Sequence, residues 1–339
     1  MTKRIVWADA LKGILILLVV LGHSIQAAMR QLGESCLNDY LWNLIYSFHM
    51  PAFMAVSGYL ALRKNLVGGG RINWWEFVWR RFRQLVIPFL LWSIALFFVN
   101  HNVEHIYEYI LYPQKSLWFL WALFFIAIVF DGVERIAVKL KIRQELIIVL
   151  CWLLLVGLMF VMPDAKLLGI EYVAYYFLYY AMGYCIHKYK GFLVIKKGVL
   201  IAIVGLLWFA LGSIYSTQGL PSQLNIVPYI PTSITYYVYR IITACLAIFF
   251  LFSIGMKAMN EDTGRLKFAV NLGKVSLGIY AVHMIIRFRL VEGICFVFPD
   301  ISYWPLMLLT FALLVPVSYV IVWLFGRWSV TSTWLLGKL

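Results

Sequence analysis

The chain has 339 residues, of which 63% are hydrophobic and only 13% are charged. This composition excludes a water-soluble globule, because lipid is the solvent in which so much apolar surface is stable. The net charge of +14 would suit nucleic-acid binding, so the positions of the 29 basic residues decide how it is interpreted.

Ten long apolar segments follow one another along the chain, and a helix crosses a bilayer with about 20 mostly apolar residues. Their approximate ranges are 5–28, 39–62, 84–100, 116–133, 146–163, 168–187, 199–216, 234–258, 272–292 and 304–325. With a cytoplasmic N-terminus, 22 basic residues fall on the inner side, five on the outer side, and two, Lys12 and Arg240, inside segments. The bias follows the positive-inside rule, so it predicts cytoplasmic termini and no nucleic-acid partner.

The sequence therefore predicts an all-α, polytopic membrane bundle of about ten transmembrane helices in a single domain, residues 1–339. The first segment is expected to be a retained helix, since no small-x-small cleavage site follows it. Cys36 and Cys295 both map to the outer face, where a disulfide between them is an open alternative.

Three ionisable residues lie in the first segment: Asp9, Lys12 and His23. Ionisable groups inside a bilayer are costly unless paired or wet, which makes them candidates for function. Lys12 and His23 are eleven residues apart, so on a helix they share one face, within about 20°. Asp9 lies one turn before Lys12, within reach of its ammonium. The alternative is structural, with Lys12 extending to the inner interface and His23 bonded to a nearby backbone.

Further polar residues fall in the other segments. His49 precedes Pro51, which predicts a kink, and Ser57 follows in the same segment. His283 lies in the ninth segment and is also intramembrane, whereas His101, His105 and His187 are expected to be solvated near helix ends. The intervals between the three intramembrane histidines are too long for a local metal motif, so no metal is expected.

Residues 63–83 form a basic and aromatic inner segment. It contains Gly68-Gly69-Gly70 but lacks the Gly-Lys-Ser/Thr ending of a nucleotide-hydrolysing loop. One reading is a helix lying on the inner leaflet, and the other is a docking surface for a phosphorylated cofactor. On the outer side Arg240, Arg287, Arg289 and Glu292 form a candidate polar mouth, the last three being alternatively ordinary helix-end charges.

Five motifs in chain order resemble those of the acyltransferase-3 membrane family. They are Lys12-x10-His23, Phe48-His49-Met50-Pro51-Ala52-Phe53 with Ser57-Gly58-Tyr59, Arg80-Arg81-Phe82-Arg83, Ser116-Leu117-Trp118-Phe119-Leu120, and Lys274-Val275-Ser276-Leu277-Gly278-Ile279-Tyr280 with His283. Lysine occupies position 12, where the family pattern allows arginine or lysine. The second-helix motif is similar to the fucose-type O-acetylase branch.

The resemblance implies transfer of an acyl group, usually acetyl, from cytoplasmic acyl-CoA to a hydroxyl of a polysaccharide or lipid-linked sugar. It implies a multi-pass protein of the bacterial cytoplasmic membrane. His23 is expected to be the general base, or alternatively a transient acyl carrier, with Lys12 and Asp9 holding the thioester end of the cofactor. The remaining expected residues are Arg71, Arg80, Arg83, Ser116 and Trp118 for the cofactor, and His49, Ser57, Arg240 and His283 for the substrate path.

The alternative function from another class is a secondary transporter or exporter of a glycolipid or sugar, which also needs intramembrane charges. The sequence contains no pair of similar halves with inverted topology, and this argues against a transporter. The sequence does not determine the oligomeric state, and a homo-oligomer is one of the alternatives.

Overall fold

The computed structural model describes residues 5–64, 66–67, 70–100, 104–189, 195, 197–224, 231–258 and 266–338. The side chains of residues 62–71, 100 and 258 fall outside this description, and so do Gly68 and Gly69. The α-helices in the described ranges are α1 (Val6–Gln31), α2 (Tyr40–Tyr46), α3 (His49–Lys64), α4 (Trp74–Arg81), α5 (Ile87–Asn100), α6 (Glu108–Leu111), α7 (Trp118–Leu140), α8 (Gln144–Val161), α9 (Ile170–Lys188), α10 (Gly198–Ser213), α11 (Thr232–Ala258), α12 (Lys267–Lys274), α13 (Ser276–Val297), α14 (Tyr303–Phe325) and α15 (Ser329–Trp334).

Smaller elements connect these helices. A π-helical turn, Phe82–Val86, joins α4 to α5, and 3-10 turns lie at Cys36–Asn38, Pro113–Lys115, Leu167–Gly169 and Ser222–Leu224. The strands β1 (Leu66–Val67) and β2 (Gly70–Arg71) form an antiparallel pair, in which Leu66 faces Arg71 and Val67 faces Gly70. The all-α prediction holds in the described ranges, to which this short strand pair is a minor addition.

Among the described residues, six helical spans are long and apolar enough to cross a membrane: Val6–Gln31, Tyr40–Ala61, Trp74–Val99, Gln144–Val161, Thr232–Lys257 and Tyr303–Phe325. The pair α12 and α13, bent by 74°, makes a seventh if it counts as one span. Within the described ranges α7 carries buried Asp131 and Glu134, and α9 contains six tyrosines, which lowers their apolar character. The helical membrane architecture is confirmed, whereas the count of ten spans and the orientation of the termini stay predictions.

The chain divides into two compact units. Unit 1 comprises residues Met1–Val56 and Tyr189–Val320, and unit 2 comprises Ser57–Lys188 and Ile321–Leu339. Each is a set of packed helices with its own buried side chains, and each is described separately below.

In unit 1, α12 crosses α1 at backbone contact distance. A Cβ built on Gly13 would lie 1.9 Å from the carbonyl oxygen of Ala269, and one on Gly273 would lie 1.8 Å from that of Asp9. Only a residue without a Cβ tolerates such an approach. After this crossing the chain turns by 74° into α13, which runs beside α1. The two glycines therefore determine where α13 meets the first helix.

The second apolar segment of unit 1 breaks earlier than its proline predicts. α2 ends at Tyr46 and α3 begins at His49, so Pro51 is the third residue of a new helix. A proline in a first turn removes no helical hydrogen bond, because the amide there has no partner in the preceding turn. The kink is consequently found at Ser47 and Phe48, and His49 becomes a helix-initiating residue.

In unit 2, the basic segment is continuous with a spanning helix. Asn73 caps α4 by accepting a hydrogen bond from the Trp75 amide, at 3.1 Å, and α4 passes through the π turn directly into α5. Arg135 of α7 holds the start of this helix, since it donates to Asp131 at 2.7 Å and to the Ile72 carbonyl at 2.8 Å. The described residues from Trp74 onward therefore form the first turns of a long helix, and the location of segment 63–83 at the inner leaflet stays a prediction.

Two smaller expectations are also corrected. His187 is buried, and its Nδ1 donates to the carbonyl of Tyr59, whose ring stacks on it at 4.3 Å between centroids. Its position at the end of α9 had indicated solvation, but α3 covers that end. Cys36 and Cys295 are free thiols, and both pack against one apolar cluster that includes Trp42 and Val291.

The glycine crossing generates a stability prediction. Gly13→Ala and Gly273→Ala are each expected to lower the free energy of unfolding by about 1–3 kcal/mol, because the added methyl overlaps backbone that cannot move aside locally. Thermal unfolding of the purified protein in detergent measures the effect. The matched control is Gly157→Ala in α8. A Cβ built on Gly157 would have no neighbouring atom within 4 Å, and alanine favours the helix. Wild-type stability of both crossing variants would contradict the assigned contact.

Candidate functional site

Three intramembrane histidines of unit 1 meet at one place. The ring centroids of His23 in α1 and His283 in α13 are 5.2 Å apart. His49, at the start of α3, lies 4.8 Å from the ring of Tyr46, which is in turn 6.4 Å from His23. Residues separated by up to 260 positions in the sequence are thus gathered, and this set with Gln26 and Arg287 is called the histidine cluster below.

Arg287 connects α13 to α1 within this cluster. Its Nη1 donates to Nδ1 of His23 at 2.5 Å and to Oε1 of Gln26 at 2.9 Å. The residue is 8% exposed, and its guanidinium lies 4.4 Å from the centroid of the Phe288 ring. A buried guanidinium bound to two acceptors and a ring face is held in a fixed orientation.

The sequence predicts Arg287 as an outer charge of a polar mouth, together with Arg289 and Glu292. The structure separates them, because Arg289 and Glu292 form an exposed ion pair at 2.9 Å while Arg287 faces inward. The spacing of four residues from His283 places Arg287 on the same helix face, and this periodicity was the signal that could have revealed it.

The contacts of each imidazole define which nitrogen carries the proton. Nδ1 of His23 lies 2.5 Å from Nη1 of Arg287 and 3.0 Å from Oε1 of Gln26, and that oxygen accepts from Arg287 as well. An arginine only donates, so we assign Nδ1 as the acceptor and place the proton of the neutral ring on Nε2. In His283 and His49 the order is reversed, because their Nδ1 atoms contact the carbonyls of Ile279 and Ile45 at 2.8 and 2.7 Å. A carbonyl only accepts, so these two rings carry the proton on Nδ1 and the lone pair on Nε2.

Lys12 and Asp9 form a pair of their own. Lys12 Nζ lies 2.7 Å from the Asp9 carboxylate, with side chains 20% and 7% exposed. The expected pairing is found, at the α1 crossing that Gly13 makes. Eleven residues of helix rise about 16 Å, so this ion pair is a separate site on the same face of α1 as His23.

The predicted cofactor arginines of unit 2 differ in their surroundings. Arg80 is exposed and bonded to Glu76 at 2.5 Å, so its charge is already countered. Arg83 lies in the π turn, 5.9 Å from the centroid of the Trp79 ring, and its buried Nε has no hydrogen-bond partner among the described residues. Arg71 belongs to β2, but its side chain falls outside the described residues. Arg83 is thus the arginine whose environment fits an anionic ligand, and π turns recur at functional sites.

Ser116 and Trp118 do not join these arginines. The Ser116 hydroxyl is bonded to that of Ser93 at 2.6 Å, and ten residues of helix separate Ser93 from Arg83, about 15 Å. Trp118 stacks on Tyr172 and Tyr176 at 4.5 and 5.0 Å. Both side chains therefore contribute to the packing between α5, α7 and α9.

The last two predicted residues, Arg240 and Ser57, lie in α11 and α3. Arg240 is half-buried over the ring of Tyr236, at 5.5 Å from its centroid in α11. Ser57 is half-buried in α3 and belongs to unit 2, whereas the histidine cluster belongs to unit 1. Within the described part of the chain, no three His, Cys, Asp or Glu side chains form a group that could hold a metal ion.

A family model described as an acyltransferase domain matches residues 5–323. The chain belongs to the acyltransferase-3 family. It is similar to the Nodulation protein NolL of Mesorhizobium japonicum, at 34% identity over 135 residues covering 34% of this chain and 32% of the relative. It is also similar to the Nodulation protein NolL of Sinorhizobium fredii, at 39% identity over 129 residues covering 35% and 34%. The aligned part spans about a third of the length of these curated relatives.

No solved structure matches this acyltransferase-3 chain. The family model extends across both units, so the histidine cluster and the π turn both lie within the matched region. Membership therefore confirms the resemblance carried by the five motifs, and it makes the histidine cluster the candidate reaction centre of a membrane acyltransferase domain.

The arginine contact generates a spectroscopic prediction. In protein labelled with ¹⁵N-histidine, His23 should show the Nε2-protonated ring, and His49 and His283 the Nδ1-protonated ring, since their partners impose these forms. Arg287→Ala should remove the preference at His23 alone. Arg289→Ala is the matched control and should change none of the three signals. An unchanged His23 signal in Arg287→Ala would show that another group determines its protonation.

Proposed function

We propose that this protein transfers an acyl group, most simply acetyl, from cytoplasmic acyl-CoA to a hydroxyl of a cell-surface polysaccharide or a lipid-linked sugar. The observation that carries the proposal is the contact between Arg287 and His23 inside a membrane-embedded acyltransferase domain. It supplies polarised N–H groups and imidazole lone pairs where acyl transfer needs charge stabilisation and proton transfer. The positive-inside distribution supports cytoplasmic termini. The bacterial cytoplasmic membrane is proposed from the family resemblance.

His23 belongs at the centre of this reaction. Its ring is the one imidazole of the cluster that contacts a cation, and its Lys12 spacing matches the family pattern. The Lys12–Asp9 pair, on the same helix face, is proposed to hold the cofactor end that enters from the cytoplasm. General base and transient acyl carrier are the two roles expected of His23 from the sequence, and its contact with Arg287 adds a third, that of a hydrogen-bond donor.

Arg83 is the proposed contact for the cofactor phosphates. Its free buried Nε and its position beside Trp79 suit bidentate binding of a phosphate and stacking on a planar ring. Arg80 is a weaker candidate, because the Glu76 carboxylate beside it repels an anion.

The reaction is tested by incubating membranes that contain the protein with labelled acetyl-CoA and following the label into polysaccharide and glycolipid. The wild-type protein should label them. His23→Ala is expected to reduce transfer by about 10² or more, a loss expected for a general base and for an oxyanion donor alike, while remaining folded and inserted. His105→Ala is the matched control, since His105 is exposed and stacked on Tyr107. A protein that moves the acceptor across the membrane with unchanged mass would be an exporter instead.

The phosphate contact is tested by kinetics at varied acetyl-CoA concentration. Arg83→Ala should raise KM for acetyl-CoA about tenfold or more, because a charge-assisted hydrogen bond is worth about 1.5–3 kcal/mol. Arg80→Ala should raise it less, since its charge is shared with Glu76 and the side chain is exposed. Equal KM values for wild type and Arg83→Ala, or a larger effect at Arg80, would remove Arg83 from the cofactor site.

A further inference from the structure

We propose that His283, rather than His23, is the general base of the acyl transfer, and that Arg287 holds His23 as a hydrogen-bond donor to the reacting carbonyl oxygen. This inference rests on the proposed function and assigns its proton-transfer steps to particular nitrogen atoms. The sequence points to one imidazole for the reaction, whereas this inference uses two neighbouring rings, one as the base and one as the hydrogen-bond donor.

His283 has the form that a base requires. Its Nδ1 is bound to the Ile279 carbonyl at 2.8 Å, which fixes the proton on that atom and the ring in one orientation. The lone pair is therefore on Nε2. This atom is buried and has no hydrogen-bond partner among the described residues, and the whole residue is 0% exposed. A buried acceptor without a partner is uncommon in folded proteins, and a substrate hydroxyl would satisfy it.

His23 has the opposite form. Its Nδ1 lies 2.5 Å from Nη1 of Arg287 and 3.0 Å from Oε1 of Gln26. Because a guanidinium only donates, and Oε1 of Gln26 accepts from the same Nη1, we assign the lone pair of the neutral ring to Nδ1 and its proton to Nε2. To accept a proton at Nδ1, His23 would have to lose the guanidinium of a residue that is itself 8% exposed and bound to Gln26. An N–H polarised by a neighbouring cation is instead suited to stabilising an oxyanion.

The two rings are near enough to act on one substrate. Their centroids are 5.2 Å apart and their planes are inclined by 42°, so the two rings are direct neighbours within the histidine cluster. His49 has the same protonation as His283, but its ring neighbour is Tyr46, and its Nε2 is not among the buried atoms without a partner. The geometry therefore favours His283 over His49.

The proposed step balances in protons and bonds. The acceptor hydroxyl gives its proton to Nε2 of His283 as its oxygen bonds to the thioester carbon. The charge that develops on the carbonyl oxygen is met by the Nε2–H of His23. The carbon–sulfur bond then breaks, and the thiolate of CoA takes the proton from His283. An ester and free CoA leave, and both rings return to their starting forms.

Variants that keep one nitrogen and remove the other separate these roles. His283→Asn retains a donor for the Ile279 carbonyl but has no distal nitrogen, and His283→Gln has a distal amide that is not basic. Both should lower kcat by about 10² to 10⁴ with KM for acetyl-CoA nearly unchanged. At His23 the order differs: His23→Gln retains a distal N–H donor and should keep more activity than His23→Asn, which lacks one. Loss of an oxyanion donor typically costs about 10² to 10³ in kcat.

Labelled acetyl-CoA, detergent-purified protein and a lipid-linked sugar fraction provide the assay, with thermal unfolding as the check of folding. Activity within a few-fold of wild type in folded His283→Asn or His283→Gln overturns the inference, and the proposed function then survives. Equal inactivation by His23→Gln and His23→Asn also overturns it, because a base at His23 is lost in both. If wild-type protein transfers no acyl group, the proposed function fails first. His49→Asn serves as the comparison and should lose less activity than His283→Asn.

Discussion

The hydrogen bond from Arg287 to His23 is the constraint on which the candidate site depends. A buried guanidinium is costly to desolvate, and here two acceptors and the face of Phe288 offset that cost. Because the two partners come from α13 and α1, the bond also joins a late helix of the chain to the first one. In surroundings of low polarity such a bond is stronger than in water, so it fixes both the ring and its proton.

Two imidazoles with opposite protonation, side by side, are a useful arrangement for acyl transfer. One lone pair and one N–H are offered at the same time, so neither ring has to change tautomer before the reaction begins. The reorganisation that water would require is thereby avoided, which is the source of much enzymatic rate enhancement. Membership of the acyltransferase-3 family agrees with this chemistry, and the backbone bond of His283 supplies the orientation that its role needs.

Local sequence patterns predicted the helices and the faces that their residues share, whereas contacts between distant helices could not be predicted. The shared face of Lys12 and His23 followed from helical periodicity alone, and the membrane architecture followed from composition. Arg287 was missed because its partner lies 264 residues away and its neighbours Arg289 and Glu292 have the appearance of helix-end charges. The position of the break before α3 depended on whether a proline occupies a first turn or a middle one, and tertiary packing decides that. Contacts across several helices are not encoded in any short window of sequence.

The crossing of α1 and α12 gives the first helix a fixed origin. Since backbone touches backbone at Gly13 and Gly273, α1 can neither slide nor turn against its neighbour there. Every residue beyond Gly13 then keeps an angular position counted from that point, at about 100° per residue. The stretch from Gly13 to His23 should therefore accept changes of side chain far more readily than changes of length. Adding or deleting one residue would point the imidazole away from Arg287 while leaving the helix itself intact.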